Sequence, residues 1–198
     1  ESLPNYEALL VGCGLGQAPT TEAFLEKAIL SGLDLPPAIL DADALNILAK
    51  KPQWWSRVQG RAILTPHPGE MARLTGDTVR DIEGKRVEQA RKAAKQWNQV
   101  VVLKGAYTVV ASPDDWAMVS PFANPALASA GTGDVLAGAG AGLLSQGLAS
   151  GDAAALAVYI HGLAGERVRK ELGDTGAIAG DLLPALPLII KGLREGAA

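Results

Sequence analysis

Short apolar runs alternate with helix-length amphipathic segments along most of the chain, a pattern that predicts an α/β fold: a mainly parallel central sheet with helices on both faces. The run EALLVGCGLG predicts a buried strand ending in a glycine turn, and Thr20 or Thr21 is placed to cap a helix through about Ser31. Pro37 opens PAILDADAL, a strand whose end carries Asp41 and Asp43, with a helix from about Ala44. RAILTPHPGE predicts the third strand, stopped by Pro66 and Pro68, and Pro68 suits the first position of a helix.

Gly84 interrupts a charged stretch ahead of RVEQARKAAKQWN, whose apolar residues recur at helical spacing on one face. QVVVLKG, YTVVAS and WAMVS then predict three strands. Only Gly105-Ala106 and Pro113-Asp114-Asp115 separate them, so this part predicts an antiparallel addition to the sheet. Beyond Ser129 the pattern is helical, with three apolar helices predicted around 134–148, 151–171 and 176–193. Trp54, Trp55 and Trp116 are expected to be packing or surface aromatics. Neither a repeat nor a linker interrupts the chain, so residues 1–198 are expected to form one domain.

Composition narrows the partners. The chain has 198 residues, is 48% hydrophobic and can bury one sizeable core. A formal net charge of -3 supplies no basic field for nucleic acid or for an anionic membrane surface. Small molecules or other proteins are the expected partners. The apolar stretches Val135 to Leu148 and Ala153 to Gly165 fall short of the roughly 18 to 20 residues of a membrane span, and read as buried helices. Their alanine and glycine surface also suits close helix packing, which leaves a homo-oligomer open. Cys13, the single cysteine, cannot form an internal disulfide, so a reducing cytoplasmic setting is expected. The chain opens at ESLPNYEALL without an initiator Met, and is expected to start inside a longer polypeptide.

In open parallel sheets, ligands bind beyond the carboxyl ends of the strands. That rule gathers Gly12, Gly14 and Gly16; Asp41, Asp43 and Asn46; His67 and Glu70; Lys104; and Asn124 with the turn Gly131 to Asp134. Gly131, Thr132 and Gly133 form a candidate anion hole, because the first amides of a helix point outward with the positive end of its dipole. Asp134, just behind them, is either a helix cap or a general base within reach of a substrate hydroxyl. Lys104 either meets a phosphate or turns into solvent. His67, held between two prolines, is either structural or a ligand contact, and Glu70 is placed to satisfy helix-start amides. Asp41 and Asp43, two apart, share a face if the strand continues; a metal site and helix capping by Asp43 are both open. His161 is expected to pack in the core, and Cys13 to be a small buried hydrophobe.

DADALN, ILTPHPGEMARL, VVLKGAYTVV and NPALASAGTGDVLAGAGAGLL, in this order, resemble the ribokinase-like domain of the ADP- or ATP-dependent NAD(P)H-hydrate dehydratases, across nearly the whole chain. The glycine-aspartate turn is common to the ribokinase-like superfamily. The histidine-proline-glycine-glutamate segment and the long asparagine-proline stretch are more selective. The resemblance implies return of NADHX and NADPHX, hydrated nicotinamide nucleotides, to NADH and NADPH by phosphorylation of the ring hydroxyl and elimination of phosphate. It implies that Asp134 is the catalytic base and also contacts substrate. Lys104, Gly105, Ala106, Tyr107, Thr108 and Gly133 would contact the adenine nucleotide. Gly14 and His67 would contact substrate, with Asn124 and Asp43 as further polar pocket positions. Mg2+ is implied by phosphoryl transfer and by no motif, so its ligands stay unassigned.

Two departures stand out. A complete domain of that family starts well upstream, with further strand-helix units and a glycine-rich turn, so this chain is expected to be N-terminally incomplete. An NAD(P)HX epimerase domain, fused in front or as a partner, is the accompanying expectation. The other departure is Cys13, where the family pattern has proline; the flanking glycines are expected to preserve the turn. Two rivals remain: a ribokinase-like kinase for a pyrimidine or thiazole vitamin precursor, and a nucleotide-binding fragment without catalysis. The TPHPGE segment favours the dehydratase over the kinase.

Overall fold

The computed structural model describes residues 5–196. Six strands form one sheet in sequential order. β1 (Leu9–Val11), β2 (Ala38–Leu40), β3 (Ile63–Leu64) and β4 (Val100–Leu103) run parallel, and β5 (Val109–Ala111) and β6 (Ala117–Val119) return antiparallel. The antiparallel addition follows from chain length: a few residues can close a hairpin, whereas a parallel link needs a crossover of about a dozen or more.

Strand alternation sorts the core into two layers. Leu40, Leu64, Val101 and Leu103 face α1 (Pro19–Ile29), α2 (Asp43–Leu48), α3 (Pro68–Thr75), α4 (Val79–Gly84) and α5 (Arg86–Trp97). Ile39, Ile63, Val100 and Val102 face α6 (Thr132–Leu144) and α7 (Ser150–Leu172). α8 (Ala179–Arg194) closes a smaller cluster on α7, where Ala164 and Val168 meet Leu182 and Ala185. Trp54 is fully buried, with Trp97 at 5.2 Å between ring centroids, while Trp116 lies at the surface. Among the described residues no helix is long and apolar enough to cross a membrane.

Two local expectations are corrected. β1 forms an edge of the sheet, so it is half-buried and Leu10 is exposed. In α1 neither Thr20 nor Thr21 caps: the helix starts at Pro19, behind Ala18, and both threonines lie inside its first turn. Proline at the first position fixes φ and lacks an amide that would otherwise need an acceptor.

Small residues bring the second layer close. A Cβ on Gly140 would stand 2.7 Å from Ile39 Cδ1, so α6 lies nearly in contact with the sheet. On α7, a Cβ on Gly162 would stand 2.0 Å from Phe122, and one on Gly165 2.7 Å from Leu127. The loop that carries Asn124 therefore rests directly on the helix. Gly140→Val is expected to cost about 1–3 kcal/mol by overpacking, lowering Tm by several degrees in a thermal melt. Gly138→Ala, on the open side of α6 with nothing within 4 Å of the new methyl, should gain about 0.5–1 kcal/mol from helix propensity.

Candidate active site

β2, β3 and β4 end side by side, and the residue that follows each strand joins one buried knot. Asp41, 1% exposed, accepts hydrogen bonds from Lys104 Nζ at 2.7 Å and from Thr65 Oγ1 at 2.7 Å. Lys104 Nζ is also 3.8 Å from Glu70 Oε2. A carboxylate this far from water requires paired charge and donors, which these neighbours supply. Glu70 in turn locks the start of α3. Its Oε2 accepts from His67 N at 2.8 Å, while His67 Nδ1 accepts from Gly69 N at 3.0 Å. This is a capping box with histidine in the capping place, as the expectation for Glu70 had it. Burial holds the His67 pKa below its ordinary value.

The loop after β1 is a run of left-handed glycines. Gly12, Gly14 and Gly16 have φ of 128°, 64° and 77°, so the turn survives with Cys13 between them. At Gly12 any side chain is excluded, because a Cβ would lie 1.8 Å from the Asp41 carbonyl oxygen. Asp43 accepts from Gly16 N at 2.8 Å and from Gln17 Nε2 at 2.9 Å. It thus staples the glycine loop to α2. It is no cap, and it shares no strand face with Asp41, because β2 ends at Leu40 and Asp43 is already helical. Cys13 is half-buried against the second core, with Sγ 3.6 Å from Asp41 Oδ2. Burial, then the neighbouring Asp41 and Asp134 carboxylates, push its thiol up to about 12, so it is protonated at neutral pH.

The mouth of α6 completes the site. Gly131, with φ of 85°, turns the chain into the helix, and Asp134 stands exposed in the first turn. Gly131 at the N-cap position has no side chain to cap with, and Asp134 is the acidic residue of the first turn, where it suits the helix dipole without bonding a helix amide. Asp134 instead offers a carboxylate oxygen within 4.8 Å of Asp41 and Cys13 ligand atoms. Within the candidate anion hole of Gly131 to Gly133, Thr132 is engaged elsewhere. Thr132 Oγ1 bonds the Leu127 and Ser129 carbonyls at 2.7 and 2.8 Å, and its amide also returns to Ser129. The amides of Gly133 and Asp134 have no backbone acceptor among the described residues. A Cβ on Gly133 would sit 3.4 Å from Lys104 Nζ, so ammonium and amides meet at one point.

Beside this point opens a cavity of about 570 Å³. His67, Lys104, Gly105, Ala106, Thr108 and Gly133 line it, joining segments that are distant in sequence. Thr108 Oγ1 donates to Gly105 O at 2.9 Å and closes the turn after β4. Tyr107, with φ of 55°, is exposed and lies outside the cavity lining. Asn124 lines the cavity, but its polar ends are engaged: Oδ1 accepts from Ala126 N at 2.9 Å and Nδ2 donates to Glu166 at 3.0 Å. Gly14, Asp43 and Asp134 are outside this cavity, on the side of the glycine loop.

Residue patterns undervalued three members. Thr65 follows a strand end and was open to the same rule as Lys104. Asp41 was gathered with the other strand-end residues and as half of a metal or capping pair, but its pairing with Lys104, 63 positions away, was not visible. His161 is buried as expected, yet it also lines the cavity and makes a 2.9 Å bond from Nε2 to the Thr132 carbonyl. Burial lowers its pKa to about 4, so it is neutral and donates to that carbonyl, fixing the first turn of α6.

The cluster of Cys13, Asp41 and Asp134 does not suit Mg2+. That ion takes hard oxygen ligands, whereas Cys13 is a protonated thiol and Asp41 is engaged by Lys104 and Thr65.

Outward amides at a helix start, a cation beside them and an exposed carboxylate behind them sit on an α/β fold of the ribokinase-like kind. The family described as NAD(P)H-hydrate dehydratase matches residues 1–187, and the chain belongs to that family. It is 46% identical over 195 residues to a bifunctional NAD(P)H-hydrate repair enzyme of Moorella thermoacetica, covering 98% of this chain and 36% of that protein. The crystal structure of an ADP/ATP-dependent NAD(P)H-hydrate dehydratase from Bacillus subtilis, co-crystallized with ATP/Mg2+ and soaked with CoA, superposes with a TM-score of 0.81 at 37% identity, covering 93% of this chain and 66% of that one. A ribokinase-like superfamily protein of Enterococcus faecalis superposes with a TM-score of 0.79 at 26% identity, covering 93% of this chain and 63% of that one. The chain thus spans about a third of the bifunctional relative and about two thirds of the single-function one.

Two measurements test the site's construction. Lys104→Met leaves the Asp41 carboxylate buried without its cation and is expected to cost about 3 kcal/mol in urea unfolding. Adding Asp41→Asn should recover part of that loss. His161 contributes a pH dependence of definite sign: its folded pKa of about 4 lies below the ordinary 6.5. The native state is therefore favoured fully above about 6.5 and loses this contribution as pH falls towards 4. Between pH 7 and 5, His161→Gln should lose less stability than the unaltered protein.

Proposed function

We propose that this chain carries the catalytic apparatus for nucleotide-dependent dehydration of NADHX and NADPHX. The observation that supports the reading is the convergence, at the start of α6 between the cavity and the glycine loop, of an exposed Asp134, the free amides of Gly133 and Asp134, and Lys104. Family membership and the relative named ADP/ATP-dependent support the choice of chemistry.

In this reading the adenine nucleotide lies in the cavity along Lys104 to Thr108, with its terminal phosphate towards Gly133. The hydrated ring approaches from the side of Gly14 and His67. Asp134 takes the proton from the ring hydroxyl as that oxygen attacks the terminal phosphorus, and the shortened nucleotide departs with the electrons of the broken P–O bond. The C–O bond of the phosphorylated ring then breaks, phosphate leaves with the bonding electrons, and the neighbouring ring carbon gives up its proton to the departing phosphate or to water as the C–H electrons form the ring double bond. Phosphoryl transfer is mostly positioning and charge stabilisation, so the α6 amides and Lys104 do most of the work by meeting the charge on the transferred group. ADP and ATP are both nucleotides of this chemistry, and Mg2+ would accompany their phosphates.

The test is recovery of reduced-nicotinamide absorbance from NADHX supplied with ADP or ATP, using the natural full-length polypeptide. Recovery is expected only when the nucleotide is present. No recovery, with phosphorylation of a pyrimidine or thiazole alcohol instead, would replace this reading with a vitamin-precursor kinase. Asp134→Asn should lower turnover at least ~100-fold, the minimum for losing a positioned base, with little change in nucleotide affinity. Near-normal turnover in that variant would remove Asp134 from the chemistry.

A further inference from the structure

We propose that Arg73, oriented by Asn46 and flanked by Gln17, forms a phosphate subsite for the dinucleotide substrate; the proposal rests on the dehydratase reading. A second groove, of about 550 Å³, is lined by Gln17, Asn46, Ala49, Lys50 and Arg73 and shares no lining residue with the nucleotide cavity. Each end of its polar wall is tied to a residue of the ring-binding side. Gln17 Nε2 is bonded to Asp43, which holds the Gly16 amide. Arg73 Nη1 lies 3.8 Å from the position of a Cβ on Gly69, a position that is itself 2.9 Å from His67 Cε1. The guanidinium is close enough to His67 to help hold its pKa down.

Charge separates Arg73 from its neighbours. Lys104 is balanced by Asp41 and Glu70, and Lys50 pairs with Glu22. Among the described residues Arg73 has no carboxylate within ion-pair distance. Its one side-chain partner is neutral: Nε donates to Asn46 Oδ1 at 2.8 Å. That bond orients the planar fork and leaves both Nη groups for a ligand. An exposed guanidinium oriented by one neutral partner and without a carboxylate of its own has the donor geometry that matches phosphate oxygens in pairs. NADHX and NADPHX both carry a pyrophosphate, and NADPHX adds a 2′-phosphate, so a phosphate ester of the substrate is the ligand that fits. The adenine nucleotide is not taken as the source, because the proposed function seats it in the other cavity.

The experiment measures steady-state kinetics of the natural full-length protein and its Arg73→Gln variant with NADHX and NADPHX, and titrates both proteins with NADH and NADPH by calorimetry. The variant should raise KM for the hydrate and weaken dinucleotide binding by about 10-fold or more, the range for losing a charge-assisted hydrogen bond, at unchanged nucleotide KM. An equal effect on both dinucleotides assigns the pyrophosphate; an effect on the NADP forms alone assigns the 2′-phosphate. Dinucleotide affinities and KM values that stay within twofold of the parent, in a variant with unaltered Tm, would overturn the proposal. Calorimetry needs no turnover, so a protein that binds NADPH but does not repair NADPHX refutes the dehydratase reading separately.

Discussion

The buried pair of Asp41 and Lys104 sets the geometry on which the site depends. An isolated charge in this position would be expelled or neutralised, and each partner prevents that for the other. Because one follows β2 and the other β4, the pair also ties together the ends of strands that are separated by β3. Thr65, from the end of β3, fills the middle with a hydrogen bond. Lys104 is thereby aimed at Gly133 instead of into solvent, and Asp41 presents its backbone carbonyl where only Gly12 can approach. One electrostatic constraint thus positions the ammonium, the glycine loop and the mouth of α6.

Packing supplies the second constraint. Helix amides serve an anion only if the helix start is held at the right depth, and α6 is held there by contact with Ile39 through Gly140. His161 fixes the first turn from behind by bonding the Thr132 carbonyl, and Thr132 turns its hydroxyl inward to Leu127 and Ser129. The loop from Phe122 to Leu127 is in turn seated on Gly162 and Gly165. Small residues and one neutral histidine therefore make a core helix a wall of the cavity, with the Gly133 and Asp134 amides left without backbone acceptors.

Much of this was legible in the residues. Alternation of apolar runs pointed to the parallel strands, the short turns around Gly105 and Pro113 to the antiparallel pair, and Glu70 to the hydrogen bonding at the start of α3, though not to His67 as its cap. What escaped has a common cause: sequence patterns report local geometry, whereas Asp41 with Lys104 and His161 with Thr132 are long-range pairings. Asp43 is instructive in this respect. Its position ahead of a helix suggested a cap, yet its carboxylate is drawn across to Gly16 and Gln17, because free loop amides nearby compete for it. β1 was expected to be buried because an apolar run does not disclose which strand lies at the edge.

The most direct test of the account is the crystal structure of the protein with a non-hydrolysable adenine nucleotide. The account predicts the terminal phosphate within hydrogen-bonding distance of the Gly133 amide and Lys104 Nζ, with the Asp134 carboxylate facing the open side of that phosphate. A nucleotide seated in the Arg73 groove, or one whose phosphates turn away from the start of α6, would contradict it.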